Sequence, residues 1–272
     1  MKSSLIAGAA VLTLVAAPAF AADLPVKALA KAPAAYNWTG GYVGGNVGYG
    51  WGSDTGDRWD SFVDQPGVGI APYFALGGNV LPGVKPSGIV GGAQVGYNWQ
   101  AAPNWVWGLV ADIQASDMRA SASSTVTPPL SALSVHSNTS RIDWFGTVRG
   151  RVGYAASNWL FYGTGGVAYG GVKSALAFNC ITCTPPTIWA GSNSSTQVGW
   201  AAGAGVEVGL TANWTVGMEY LHFDLGSIST TALPDTVPAL GTSVTASSKF
   251  AGDVVRATLN YKFSPAAVVA KY

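Results

Sequence analysis

From Val43 onward the chain sorts its residues into two interleaved sets. Val43, Gly45, Val47, Tyr49 and Trp51 are apolar or small and end in aromatics, whereas Gly44, Asn46, Gly48 and Gly50 between them are small or polar. A period of two belongs to a β-strand with unlike faces and not to a helix. The separation recurs seven more times, over about 88–100, 105–116, 142–154, 159–170, 197–210, 214–225 and 250–263. In each segment the charges fall opposite the aromatics: Asp112 opposes Trp105, Trp107 and Leu109, and Arg149 and Arg151 oppose Val148, Val152 and Tyr154. Glu207 opposes Trp200 and Val208, Glu219 opposes Met218 and Tyr220, and Arg256 opposes Leu259 and Tyr261. The segment at 159–170 carries aromatics on both faces, and Tyr162 and Thr164 are assigned inward there.

A soluble ligand-binding barrel shows the same period with its charges outside. Here the aromatic side is the uncharged one, so it faces lipid. Mean hydropathy is positive at +0.27, and beyond the first 21 residues no apolar run approaches the length of a spanning helix. Strands resolve the conflict, because every second residue can face lipid without any long apolar run. The expected fold is all-β, an eight-stranded antiparallel up-and-down transmembrane β-barrel.

Connection lengths set its direction. The segments 101–104, 155–158 and 211–213 are tight turns, and 52–87, 117–141, 171–196 and 226–249 read as long loops. Short turns on one side and long loops on the other are the outer-membrane pattern, with turns periplasmic. Each short turn ends in Asn-Trp, at Asn104-Trp105, Asn158-Trp159 and Asn213-Trp214, 54 and 55 residues apart, and Asn37-Trp38 opens the first strand similarly. The Asn is expected to supply the left-handed conformation of a tight turn. Trp38, Trp105, Trp159, Trp214, Tyr261 and Phe263 are expected to form a periplasmic aromatic girdle.

The first residues point to export. Lys2, the apolar stretch Leu5–Ala17 and Ala19-Phe20-Ala21 have the form of a cleaved signal peptide over 1–21. A periplasmic linker over 22–37, the barrel over 38–263 and a tail over 264–272 complete the expected organisation. Only 10% of residues are charged, with a net charge of +1, which excludes the basic patch of a nucleic-acid partner.

Eight strands enclose a space just wide enough for side chains to fill. Charges directed there must pair or neutralise. Asp112, Arg149, Arg151, Glu207, Glu219 and Arg256 are three acids and three bases, expected to form a central ion network. Trapped water around some of them is the alternative. Asp143 and Lys262 lie nearer the strand ends.

Candidate chemistry is otherwise weak. Gly48-x-Gly50-x-Gly52 and Gly203-x-Gly205-x-x-x-Gly209 do not open helices, so phosphate cradling fails, and close strand approach explains them better. Cys180 and Cys183 lack a thioredoxin context and lack partners for zinc, leaving a loop disulfide as the expectation for an exported chain. His222 near Asp224, and His136 in the second long loop, are too little for a catalytic constellation. Asp54, Asp57, Asp60 and Asp64 lack the spacing of a calcium loop and read as solvated charge. No enzyme, cofactor or metal site is expected.

Trp38-Thr39-Gly40-Gly41-Tyr42-Val43-Gly44-Gly45-Asn46-Val47-Gly48-Tyr49-Gly50-Trp51-Gly52 resembles the first strand of the alphaproteobacterial outer-membrane immunogenic proteins, the 25/31-kDa "porin family" surface antigens. Gly91–Gln100, Trp144–Tyr154 and Glu219-Tyr220-Leu221 are similar to that family's later strands. The resemblance implies an OmpA-like barrel, a role in envelope integrity, and exposed antigenic loops. Some relatives are linked to haem or host-surface binding, and the family supplies no catalytic residues. Implied partners are outer-membrane lipid and lipopolysaccharide, the barrel-insertion machinery that reads a terminal aromatic, and a host or environmental ligand at the loops. Tyr261-Lys262-Phe263 matches the terminal signal, whereas Thr258 stands where glycine is usual and Ser264–Tyr272 follow it. A narrow porin or uptake channel and a loop-mediated adhesin remain alternative readings.

Overall fold

The computed structural model describes residues 36–53, 59–63, 81–127, 133–235 and 241–263, all within the compact unit Ala35–Tyr272. The signal segment, most of the linker, the C-terminal tail, and Asp54, Asp57 and Asp64 lie outside the described residues. Among the described residues there are nine strands: β1 (Gly40–Gly52), β2 (Ser61–Val63), β3 (Ser87–Ala102), β4 (Trp105–Val126), β5 (Ser134–Ala156), β6 (Trp159–Cys180), β7 (Thr187–Gly209), β8 (Trp214–Pro234) and β9 (Ser243–Lys262). Eight of them close a ring in the order β1-β3-β4-β5-β6-β7-β8-β9, antiparallel throughout, and β1 pairs back onto β9 from Tyr42↔Lys262 to Gly52↔Gly252. Where β1 stops, β2 covers the exposed edge of β9 by pairing Ser61↔Thr245 through Val63↔Ser243.

Outside, alternate residues are exposed and apolar, among them Val47, Ile89, Leu109, Ile113, Val148, Val198 and Met218. Aromatic belts border this band. Near the turns Trp105 meets Tyr154 edge-on at 5.9 Å and Trp214 meets Tyr261 at 5.2 Å. Toward the other end Trp144 meets Tyr169 at 6.1 Å. Ten residues of β5 separate Tyr154 from Trp144, about 25 Å once strand tilt is allowed for, the height of a bilayer's apolar band.

The strands run far past that band. Much of 117–141, 171–196 and 226–249, read from sequence as loop, is ladder: Ser123 pairs with Ser137, Leu176 with Gly191, and Thr230 with Ala246. Two physical reasons hid it. Beyond the lipid both faces carry Ser, Thr, Asn and Ala, so the contrast that marks a strand disappears. The β4–β5 and β5–β6 ladders also slip at Ala115/Met118 and Ile142/Trp144, and the β8–β9 ladder slips at Asp224/Ser227. On β5 and β8 such an irregularity moves the inward set from odd to even residues or the reverse, and strict alternation cannot cross it.

The turn asparagines act differently from expectation. Ser157 is the one non-glycine residue with a left-handed φ (58°) among the described residues, so the Asn residues are not the left-handed ones. Instead the side-chain amides of Asn104, Asn158 and Asn213 donate to Ala155, Gly209 and Lys262 carbonyls at 2.8, 3.1 and 2.9 Å. The same three asparagines accept, through their backbone carbonyls, the N–H groups of those residues. Each therefore adds a rung that ties a turn to the neighbouring strand's end.

Candidate functional site

The inward faces of five strands converge on the barrel's centre. Asp112 comes from β4, Arg149 and Arg151 from β5, Glu207 from β7, Glu219 from β8 and Arg256 from β9, and all six are buried. The structure divides them into a group of four and a pair.

In the group of four, Arg149 donates to Asp112 at 2.9 Å and to Glu219 at 2.7 Å. Arg256 donates to the same two carboxylates at 2.9 and 2.6 Å. Each anion thus lies between two cations. Thr147 donates to Asp112 at 2.8 Å and accepts from Arg149 Nε at 2.8 Å. In the pair, Arg151 donates to Glu207 at 2.8 Å, and its guanidinium lies 4.3 Å from the Tyr162 ring centroid and 5.6 Å from that of Tyr42. Thr215 donates to the other Glu207 oxygen. Asn260 donates to that oxygen as well, at 3.1 Å, and accepts from Gln94 at 2.7 Å. Such groups stay charged out of water only when paired and hydrogen-bonded, and Arg suits the task through its planar fork of donors.

Space for the arginines comes from glycine. Cross-strand, Arg256 faces Gly48, Arg149 faces Gly166 and Arg151 faces Gly108. A Cβ at Gly48 would stand 2.2 Å from the Val255 carbonyl oxygen and 2.7 Å from Arg256 Cα, and one at Gly166 would stand 2.1 Å from the Val148 carbonyl oxygen. These inward glycines are sites of close approach.

Above and below the charges the interior is apolar. Toward the loops lie Val90, Met118, Ile142, Phe145, Ala168, Val172, Leu221, Phe223, Phe250 and Val254, with Phe145 and Phe223 stacked at 5.3 Å. Sequence reading missed this layer because Phe145 and Leu221 adjoin outward aromatics, and a doubly apolar stretch shows no inside. A second apolar layer near the loops contains Trp59, Phe178 and Trp189, with Phe178 and Trp189 stacked at 4.9 Å. His136 lies in that layer, accepting from the Trp59 indole at 3.3 Å. Cys180 and Cys183 are joined in a disulfide, and Cys180 packs in the same layer.

At the turn end Trp38 departs from the expected girdle. It is 1% exposed, turned into the barrel against Val106, Ala155, Leu160 and Tyr162. Its backbone N–H is held by Gln100 at 2.9 Å, and its ring lies 4.6 Å from Tyr36. Asn37 precedes β1, and its side-chain oxygen accepts from the Thr39 N–H at 2.9 Å. Lys262 lies 4.4 Å over the Tyr36 ring, and burial, with Glu207's charge adding to it, pushes the Tyr36 hydroxyl up to about 12. Trp105, Trp159, Trp214, Tyr261 and Phe263 are exposed on the outer surface.

His222 does not meet Asp224. It pairs with Asp253 at 2.8 Å, an oxygen that also accepts from Tyr220, while Asp224 binds Lys249 at 2.9 Å. No group of three or more His, Cys, Asp or Glu able to hold a metal ion occurs among the described residues.

A closed ring with an apolar outer band between aromatic belts and with its charges inside is a transmembrane β-barrel, in which every backbone group is satisfied between strands. The chain belongs to the outer membrane protein beta-barrel domain family, whose model matches residues 7–263. It is 36% identical over 268 residues to the 31 kDa outer-membrane immunogenic protein of Brucella melitensis biotype 1, covering 97% of this chain and all of that one. The 22 kDa outer membrane protein of Rhizobium leguminosarum bv. viciae is 29% identical over 70% of this chain and 66% of its own. Among solved structures, outer membrane protein OprG from Pseudomonas aeruginosa aligns over 84% of this chain and 98% of its own, at 13% identity and a TM-score of 0.38. The protein is an outer-membrane β-barrel related to the immunogenic surface proteins.

Proposed function

We propose that this barrel is a closed structural element of the outer membrane that carries a β-walled surface extension, and that it neither conducts solutes nor catalyses a reaction. The stacking of filled layers supports this reading: Trp38 at the periplasmic mouth, the paired charges, then the apolar layer around Phe145 and Phe223. A water-filled path would have to cross that apolar layer, where polar partners for water are few. Envelope integrity and surface antigenicity follow from a rigid wall that presents strands β4–β9 outside the lipid.

Planar-bilayer recording of the purified protein tests this. The expected trace is flat at general-porin conductance levels. A steady open pore would overturn the closed reading and favour the narrow-channel alternative.

A further inference from the structure

The outer face of β4–β7, just beyond the loop-side aromatic belt, carries an arrangement that stability does not require. Arg119 on β4 faces Arg141 on β5, and Arg141 faces Lys173 on β6, which in turn faces Ser194 on β7. Like charges set directly opposite each other on neighbouring strands repel and weaken a sheet, yet three cations stand in one row. All three side chains are about half exposed or more, at 64%, 47% and 53%. Arg141 is three residues beyond Trp144 on β5, and Lys173 is four beyond Tyr169 on β6. At roughly 3.3 Å per residue this places the row about 10 Å along the strands from the aromatic belt, at headgroup depth.

The next row outward is Ser121, Thr139, Ala175 and Ser192. Its small Ala175 floors a groove of about 370 Å³ between Arg141 and Lys173 on one side and Ser192 and Ser194 on the other. Asp143 lies on the membrane side of the row and binds both Arg141 and Lys173, the latter at 2.8 Å. It draws the two cations together and leaves the remaining guanidinium and ammonium donors free to face outward. On the opposite rim Lys249 pairs one-to-one with Asp224, and Tyr220 and His222 both turn to Asp253, whereas here two cations share Asp143.

We propose that this groove binds the phosphorylated sugar headgroup of an outer-leaflet glycolipid. Arg141 and Lys173 hold the phosphate, and Ser192, Ser194 and Thr139 meet the sugar hydroxyls; Arg119, paired with Asp117 at 3.5 Å, lies outside the groove and adds only to the local positive field. The depth of the row commits the site to a lipid that is already in the membrane. Cations paired with a phosphate gain charge-assisted hydrogen bonds, bidentate in the case of Arg.

The test uses the full-length mature protein, refolded in detergent and assayed by native mass spectrometry with bisphosphorylated lipid A, fully dephosphorylated lipid A or inorganic phosphate. Wild type should retain bisphosphorylated lipid A at least tenfold better than the dephosphorylated form, and inorganic phosphate at millimolar concentration should not displace it. The double substitution Arg141→Gln, Lys173→Gln should lose that preference, and Lys249→Gln on the far rim should keep it. Heat-modified gel mobility reports whether each variant is folded. If a variant fails to fold, the salt dependence of lipid A retention by wild type replaces it, and a salt-independent affinity would overturn the proposal. Equal binding of both lipids, or undiminished binding by the folded double variant, would also overturn it, and displacement by inorganic phosphate would mark a free-anion site instead.

Discussion

At the scale of single residues, the interior is governed by the number of partners each charge has. Glu219 lies between two guanidiniums, whereas Glu207 has Arg151 alone, with Thr215 and Asn260 as neutral donors. Removing one member of a buried pair leaves an uncompensated charge and costs about 3–5 kcal/mol. Glu219→Gln leaves Arg149 and Arg256 to share Asp112, two cations on one anion, and Glu207→Gln leaves Arg151 with no carboxylate, so each should lower the unfolding free energy in urea by about 3 kcal/mol or more. Tryptophan fluorescence of the protein in lipid vesicles reads each loss, and a negligible loss for either variant would mean that trapped water compensates the arginines. The identities of the charged residues were legible because alternation shows which face they occupy. Their division into a four and a two was not, since it depends on strand stagger around the ring, which no single strand encodes. Trp38 misled for a related reason: an Asn-Trp pair looks the same whether its ring ends up buried or facing lipid.

At the scale of elements, the eight membrane strands were legible where one face meets lipid and the other meets polar groups. Their extensions were not, because β5 from Ser134 to Ser140 places Ser, His and Asn inside and Val, Ser and Thr outside. The interior apolar layer was equally hidden, since a lipid-facing aromatic and a core aromatic are the same residue type. That layer makes its own prediction. Phe223→Ala empties a site stacked against Phe145 and should cost about 3–5 kcal/mol. Thr231→Ala on the outer face, which loses only a hydroxyl contact to Thr245 at 2.9 Å, should stay within about 0.5 kcal/mol of wild type. Urea titrations of both variants check the contrast, and a small loss for Phe223→Ala would show that the layer tolerates water.

At the scale of the whole molecule, one polarity organises everything: turns and the Trp38 mouth on the periplasmic side, extended strands outside. Single cysteines should report it. On intact cells Ser123→Cys should react with a membrane-impermeant maleimide, Val148→Cys should not, and Ala156→Cys should react only after the outer membrane is permeabilised. Labelling of Ala156→Cys on intact cells would invert the topology. The seam between β1 and β9 carries a further consequence, one of timing. Tyr42 finds its partner Lys262 only at the far end of the chain, so the ladder that closes the ring cannot begin until nearly every residue has been delivered. Contacts this distant in sequence are the slowest to form. The first strand must wait as an open edge throughout assembly, and its glycines make it a poor template for anything that would pair with it in the meantime.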